Sequence, residues 1–175
     1  SGLPTLYSDY FVKHGFLHFD QTTEWYDMFS QFILNNEQKP ILLCVEKEGE
    51  LIAFMPFYTY TQNAILGKRI RLCSMTNYFS AHFTPIVGEN AEQFILKLLV
   101  EAIIQLKWNV LDINPIIRED DTFDLLNQEI TRQGLEVETY FRFANWCLDL
   151  QGRNYAEYIS SVPKNIQNTL TRKYK

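Results

Sequence analysis

The chain has few of the residues and patterns that mark the most easily recognised classes of protein. It contains only seven glycines and three cysteines among its 175 residues, and no Cys-x-x-Cys pair. A disulfide framework and a cysteine-based zinc site are therefore not indicated. No apolar run approaches the roughly 18–20 residues that cross a bilayer, and the N-terminus lacks a basic-then-apolar signal pattern. We therefore expect a cytoplasmic protein without a membrane span.

A glycine-rich phosphate loop is also missing at the point where the pattern of elements would place one. A short strand predicted at 83–87 runs into the turn Gly88-Glu89-Asn90 and then into an apolar helix predicted from Ala91 to Lys107. Backbone N–H groups at such a helix start are unpaired, and the helix dipole favours an anion there. This turn has one glycine, an acidic residue and no Lys or Arg, so it is poorly suited to a pyrophosphate. The layout is that of a cofactor-binding enzyme without the loop that binds the cofactor.

The composition that is present indicates one well-packed domain. Hydrophobic residues make up 46% of the chain and aromatic residues 15%, which is enough to bury an ordinary core. The net charge of −5 is unevenly distributed: residues 1–152 carry 11 basic against 20 acidic residues, and residues 153–175 carry five basic against one acidic. The acidic body argues against nucleic-acid binding. We assign 1–152 to the domain and 153–175 to a basic helix, whose charges could contact RNA or lipid headgroups but more readily suit a solvated face or an intramolecular partner.

Apolar residues recur with helical or strand spacing along most of the chain. Trp25, Phe29, Phe32 and Ile33 follow the helical repeat, for example. The predicted order begins with helix 22–35, strands 41–46, 51–61 and 65–74, strand 83–87 and helix 91–107. It continues with strand 108–114, helix 122–133, strands 137–143 and 145–150 (two strands or one bent strand), and a helical segment from 154 that Pro163 interrupts. An antiparallel meander that passes into β-α-β units predicts an α/β fold (a mixed α+β sheet) with helices on both faces.

Single residues add local signals to this pattern. Asp20 or Thr22 offers an N-cap for the first helix, and Gly134 ends the helix at 122–133. Gly49 suits the tight turn of the first hairpin. Pro56 cannot donate to a sheet ladder, so it predicts a bulge or an edge position in the second strand.

The loop after the third strand is the first candidate for a functional site. Asn77, Tyr78, Phe79 and His82 lie in it, shortly before the turn described above. They could form a wall of a substrate site, with Tyr78 or His82 supplying hydrogen bonds or proton transfer. The alternative is an aromatic loop that packs its rings on the sheet and leaves His82 exposed.

Two further pairs of polar residues are candidates. Asp112 and Asn114 lie at the C-terminal end of a predicted strand, where α/β sheets tend to bind ligands. A carboxylate there could act as a base, directly or through water, or could instead cap the next loop. Lys164 and Asn165, with Arg172 and Lys173, could contact an anionic group on a substrate or donor through the positive charge of this segment. The alternatives are a solvated helix face and a seam against the missing half.

Metal and nucleophile chemistry have weaker support. His14 and His18 are four residues apart, but Gly15 separates them and no third ligand is near. We therefore expect no metal. The three cysteines each lie in an apolar stretch, which indicates buried structural thiols, and nothing orients Cys73 toward a base.

The order of elements resembles the fold of the GNAT N-acetyltransferases. Four stretches sharpen this resemblance toward the CelD-like, FemAB-related bacterial group: 46–58, then 69–74 followed by 77–79 and 84–85, then 108–113, and finally 155–170. The resemblance covers roughly 25–175. The family's Gln/Arg-x-x-Gly-x-Gly/Ala loop, which binds the acyl-CoA pyrophosphate, is absent, and Val87-Gly88-Glu89-Asn90-Ala91 stands in its place.

The resemblance implies that this chain is the N-terminal GNAT-like half of a two-domain N-acyltransferase. The half missing from this chain would bind acetyl-CoA or another acyl-CoA, and this half would shape the site of a small-molecule or cell-envelope precursor acceptor. No cofactor-binding residue is then expected in this chain, which would be inactive alone. The sequence leaves open whether the isolated chain forms a homodimer. The alternatives are a non-catalytic binding or interaction module with a degenerate GNAT fold, and a complete small acetyltransferase with an atypical turn.

Overall fold

The computed structural model describes residues 19–65, 67–87, 93–118, 121–144 and 148–173. These divide into two compact units, one ending at Arg142 and the other beginning at Phe143, and each is described by itself. The sequence instead predicts a domain at 1–152 and a basic helix at 153–175 that would lead to a further domain. That division stays a prediction. Among the described residues, no helix combines the length and the apolar character that a membrane crossing requires.

The first unit is built on a five-stranded mixed sheet. Its strands are β1 (Lys39–Lys47), β2 (Glu50–Ala64), β3 (Gly67–Ser74), β4 (Ile86–Val87) and β5 (Val110–Asp112). The order is β1-β2-β3-β5, and β4 pairs with β2 beyond the end of β3. The first three strands form the antiparallel meander, whereas β5 lies parallel to β3. The predicted α/β fold class with a mixed sheet is confirmed.

Helices form where the apolar repeat predicts them, with ends shifted by a few residues. They are α1 (Thr23–Met28), continued by a π-helical turn (Phe29–Ile33), α2 (Gln93–Gln105), α3 (Asp121–Arg132), and, in the second unit, α4 (Tyr155–Ser161) and α5 (Lys164–Lys173). Thr22 is the N-cap of α1, since its hydroxyl accepts from the Trp25 N–H. Asp20 is instead buried, and its carboxylate accepts from the Ala81 N–H at 2.8 Å.

The π-helical turn changes which residues of the first helix are buried. Trp25 and Phe29 pack into the core as predicted, but Phe32 is 79% exposed and Ile33 is 41% exposed. The Leu34 N–H donates to the Phe29 carbonyl, five residues back, at 3.0 Å. This wider turn rotates the following side chains away from the face that a regular α-helix would present.

Helices cover both faces of the sheet, as predicted. Phe54 of β2 packs in one cluster with Trp25 of α1 and Phe29 of the π-helical turn. Met55, the next residue of β2, points the other way and packs in a second cluster with Leu99 of α2. Because successive side chains of a strand point to opposite faces of the sheet, the core is divided into two layers.

A bulge in β2 adjusts this alternation. The register between β1 and β2 shifts between Val45 and Glu46, which leaves Ile52 as the extra residue. Leu51 and Phe54 are three apart, yet both pack in the cluster beneath α1. Without the bulge, one of these two apolar side chains would point to the opposite face.

Pro56 is accommodated at a gap between two neighbours of β2. On that edge β4 pairs with Ala53 and Phe54, and β3 begins its pairing at Phe57. The Pro56 carbonyl accepts from the Met75 N–H on this same side at 3.0 Å. Because the N–H and C=O of one strand residue point to the same side, the N–H that proline lacks would also face this gap. The predicted bulge or edge position at Pro56 is therefore wrong, since β2 is a central strand and its bulge lies at Ile52; the strand tolerates proline because the missing N–H would face the gap between β4 and β3.

Two predicted strands are wrong. No strand forms among the described residues of 137–144 or at 148–150, and residues 145–147 lie outside the described part of the chain. Several side chains there are exposed, including Tyr140 at 70% and Phe141 at 84%. Alternating apolar residues favour a strand only where a sheet edge is available to pair with it, and the pattern carries no information about that edge.

The turn between β1 and β2 provides a stability prediction. Glu48 and Gly49 form a two-residue turn with φ of 54° and 83°, and Lys47 pairs with Glu50 across it. Both central residues of this turn have positive φ, which asparagine and glycine adopt readily and which strains a glutamate. The geometry therefore favours Asn-Gly over Glu-Gly. We expect Glu48→Asn to raise the free energy of unfolding by about 0.5 kcal/mol, measured by urea denaturation. Glu46→Asn on the exposed part of β1 is the control, and an unchanged or lower stability in Glu48→Asn would contradict the turn assignment.

Candidate substrate site

The sheet register brings polar side chains of three strands into neighbouring positions. Tyr58 of β2 pairs with Cys73 of β3, and Cys73 pairs with Asp112 of β5. Two residues further along β2, Tyr60 pairs with Arg71. Paired residues point to the same face, which here is the face that α1 partly covers. We call this group the polar patch and define it as Tyr58, Tyr60, Arg71, Cys73, Asp112 and Asn114.

An ion pair lies at the centre of the polar patch. Arg71 Nη2 donates to Asp112 Oδ2 at 3.0 Å, and the two side chains are 25% and 28% exposed. Arg71 Nη1 donates to Gln62 Oε1 at 3.3 Å, while the buried Nε has no partner. An ion pair this accessible to water contributes only about 0–1 kcal/mol to stability. The ion pair therefore contributes little to the stability of the fold. Its relevance to a site is that Arg71 holds the Asp112 carboxylate in a fixed orientation.

Asn114 connects this ion pair to the end of β3. Its amide Nδ2 donates to Asp112 Oδ1 at 2.8 Å, so both carboxylate oxygens accept a hydrogen bond. The Asn114 carbonyl accepts from the hydroxyls of Ser74 and Thr76, and its N–H donates to Ser74 Oγ at 3.1 Å. The C-terminal ends of the parallel strands β3 and β5 are thereby joined, at the edge of the sheet where α/β folds bind ligands.

The loop at 75–82, which we call the aromatic loop, is held at both of its ends by the segment Asn114–Pro115 that follows β5. Thr76 donates to the Asn114 carbonyl, and the Phe83 N–H donates to the Pro115 carbonyl at 2.6 Å. Within the loop, Asn77 Oδ1 accepts from the Phe79 N–H at 2.8 Å. These contacts keep the loop beside the segment that follows Asp112.

The loop exposes its aromatic rings. Tyr78 is 90% exposed and Phe79 is 69% exposed, and their rings meet edge to face with centroids 5.8 Å apart. The alternative prediction, in which these rings pack on the sheet, is therefore wrong. His82 is half-buried. The substrate-contacting roles of Asn77, Tyr78, Phe79 and His82 stay predictions.

The remaining candidates belong to the second unit or lie outside the described residues. Lys164 and Asn165 are exposed at the start of α5, in the second unit. The turn at 88–91 lies outside the described residues, as do His14, His18 and Cys147. In the described part of the chain, no group of three or more His, Cys, Asp and Glu side chains could hold a metal ion.

Burial and charge shift the pKa values of three groups of the polar patch, Tyr58, Arg71 and Cys73. Burial raises the pKa of the Cys73 thiol, and the Asp112 carboxylate raises it further, while the Arg71 guanidinium opposes this. Burial likewise raises the pKa of the Tyr58 hydroxyl, with a smaller effect from Cys73. The predicted burial of Cys73 is confirmed, and Cys44 is half-buried.

These opposed influences predict opposite pKa changes in two variants. Asp112→Asn removes a negative charge and is expected to lower the pKa of Cys73. Arg71→Gln removes the guanidinium charge, which lowers the pKa of Cys73, and is therefore expected to raise that pKa. The measurement is a pH titration of the Cys73 Cβ resonance by NMR, with Asp124→Asn on the exposed side of α3 as the control. If the pKa of Cys73 changes in the same direction in both variants, Cys73 is not influenced by both charges as the structure indicates.

Sequence reasoning missed Tyr58 and Arg71 as members of this site. The only available signal was a strand in which Arg69 and Arg71 alternate with Ile70 and Leu72, a pattern that equally suits an exposed face. The pairing of β3 with β5, which places Arg71 beside Asp112, depends on residues about 40 positions apart.

Comparisons with known proteins add a distant likeness in fold. No protein-family model matches this chain, and no curated protein matches it at a significant level. A solved structure of a probable acetyltransferase superposes on 83% of this chain and 89% of its own, with a TM-score of 0.44 and 13% sequence identity. A likeness of this strength carries no argument about activity or substrate.

Proposed function

We propose that this chain is the GNAT-like, acceptor-binding part of an acyl-CoA-dependent N-acyltransferase of the CelD-like, FemAB-related type. The observation that carries the proposal is the Asp112 carboxylate, which Arg71 and Asn114 hold at the C-terminal ends of β3 and β5. The exposed loop of Tyr78 and Phe79 is tied to the same segment and supplies a wall for an acceptor.

The chemistry requires a group that removes a proton from the acceptor amine. An ammonium ion has no free lone pair, so it must lose a proton before its nitrogen attacks the thioester carbonyl carbon. Asp112 would take that proton, directly or through water. The new C–N bond then forms and the C–S bond breaks. The nitrogen loses its second proton to reach the neutral amide, and the leaving thiolate of coenzyme A takes up a proton, so the protons balance. In the second unit, Lys164 and Asn165 stay candidates for contacts with an anionic group of a substrate or donor.

The acyl donor would be bound by a second GNAT domain in cis, because the turn at 88–91 has no basic residue and only one glycine. We expect isothermal titration of this chain with acetyl-CoA to show no binding in the micromolar range. The control is a protein that contains both halves, which is expected to bind. Micromolar binding to this chain alone would refute the proposal that only the second domain binds the acyl donor.

A non-catalytic binding module is the second candidate, and one observation favours it. Both oxygens of Asp112 accept hydrogen bonds from within the chain, as in a carboxylate that only secures two strands. A two-domain protein that keeps its full acyl-transfer rate after Tyr78→Ala, His82→Ala and Asp112→Ala would favour this candidate.

A further inference from the structure

The ion pair of the polar patch offers hydrogen-bonding capacity of both kinds. Each carboxylate oxygen has two lone pairs, and each oxygen of Asp112 uses one of them in the bonds to Arg71 and Asn114. Each terminal nitrogen of Arg71 carries two hydrogens, and each uses one in the bonds to Gln62 and Asp112. A ligand at this place therefore finds an anionic acceptor beside a cationic donor, both already oriented.

Solvent reaches part of the ion pair. Both side chains are about one-quarter exposed. The rings of Tyr58 and Tyr60 lie on the same face and stack on each other, with centroids 6.1 Å apart and planes 16° apart. The pair thus has an aromatic surface on its β2 side and is partly open to solvent.

The charge of Arg71 restricts which amines this place would bind well. A simple ammonium ion that approaches Asp112 also approaches the guanidinium, so repulsion from Arg71 offsets the attraction of the carboxylate. An amine with a neighbouring carboxylate meets no such conflict. Its ammonium group can bind Asp112 while its carboxylate binds Arg71, whose planar donors suit a carboxylate.

We propose that the Arg71–Asp112 pair selects an acceptor whose amine lies next to a free carboxylate, as in an amino acid. This inference rests on the proposed function, since it names the class of acceptor for the same site. The ammonium group would lie at Asp112, from where the proton is removed, and the carboxylate at Arg71. Arg71 is then a specificity-determining residue in addition to holding Asp112.

The test is acceptor binding measured by NMR titration of the ¹⁵N-labelled chain, without any acyl donor. Phenylalanine, phenylalaninamide and 2-phenylethylamine form a matched set, since they share the ring and the amine and differ in the carboxylate. We expect phenylalanine to bind at least about fivefold more tightly than the other two, as one partly exposed ion pair allows. The shifts are expected at Tyr60, Arg71, Cys73 and Asp112.

Variants assign the preference to its residue. Arg71→Gln is expected to abolish the preference for phenylalanine, and Asp112→Asn to weaken all three ligands. Arg69→Gln is the matched control, because Arg69 is an exposed arginine on the same face of the same strand, two residues away. It is expected to retain the preference. If Arg71→Gln does not fold, Arg71→Lys serves in its place and is expected to reduce the preference.

Three results would overturn the inference: equal binding of the three ligands to the unchanged chain, a preference that persists in Arg71→Gln, or no shifts at millimolar concentrations. None of these results bears on the binding of acyl-CoA by the other half. Conversely, selective binding of phenylalanine by a two-domain protein that transfers no acyl group would overturn the proposed function and leave the binding class in place.

Discussion

Replacement of Phe57 by alanine is expected to lower the free energy of unfolding by about 3–5 kcal/mol. Phe57 is fully buried in the central strand β2. Its ring meets Phe83 edge to face at 5.4 Å and packs in the cluster beneath α2. Alanine would leave a cavity at the contact between the sheet, this helix and the end of the aromatic loop. Urea denaturation of the two proteins measures the difference.

The matched control for this prediction is Phe79→Ala. Phe79 is also a phenylalanine of the first unit, but it is 69% exposed. We expect its replacement to change the free energy of unfolding by less than about 0.5 kcal/mol. Equal losses in the two variants would mean that the core is not centred on the β2 residues that pack beneath α2.

The second large effect is expected at Asp112. In a two-domain protein that contains this chain, Asp112→Asn is expected to lower kcat for acyl transfer by about 10²–10⁴-fold. An amide has nearly the shape of the carboxylate but cannot take a proton from the acceptor ammonium. The measurement is steady-state release of free coenzyme A thiol at saturating acceptor and acyl-CoA.

Asp124→Asn is the control for this change, since it removes the same charge from the exposed side of α3. It is expected to leave kcat unchanged. A kcat for Asp112→Asn within a few-fold of the unchanged protein would assign Asp112 a structural role only. It would also favour the second candidate, a binding module in which Arg71 and Asn114 simply secure the ends of β3 and β5.

Most elements of the fold could be predicted from the sequence because their signals are local. The apolar repeat of the helix at 91–107 and the Gly49 turn both act through residues within a few positions of one another. The two predicted strands after residue 136 failed because a strand also requires a partner edge, which is not a local property. The exposure of Phe32 was missed for a related reason, since the π-helical turn departs from the period on which that prediction depends.

The candidate site was predictable only in part. Asp112 and Asn114 were found because the end of a strand in an α/β fold is a common place for ligands. Tyr58, Arg71 and Cys73 gave no comparable signal. They belong to the site because the register of β2, β3 and β5 aligns Tyr58 and Cys73 with Asp112 and brings Arg71, two residues along β3, within hydrogen-bond distance of it.

The sequence by itself determined the helices, the antiparallel meander, the mixed α/β class and the positions of Asp112, Asn114 and the aromatic loop along the chain. These follow from period, turn chemistry and order, which are interactions between near neighbours. Only the tertiary structure decided that Arg71 faces Asp112, that the loop is tied to Asn114 and Pro115, and that Tyr78 and Phe79 are exposed. Those outcomes depend on the register between strands far apart in the chain, where a slip of one residue would turn every side chain to the opposite face.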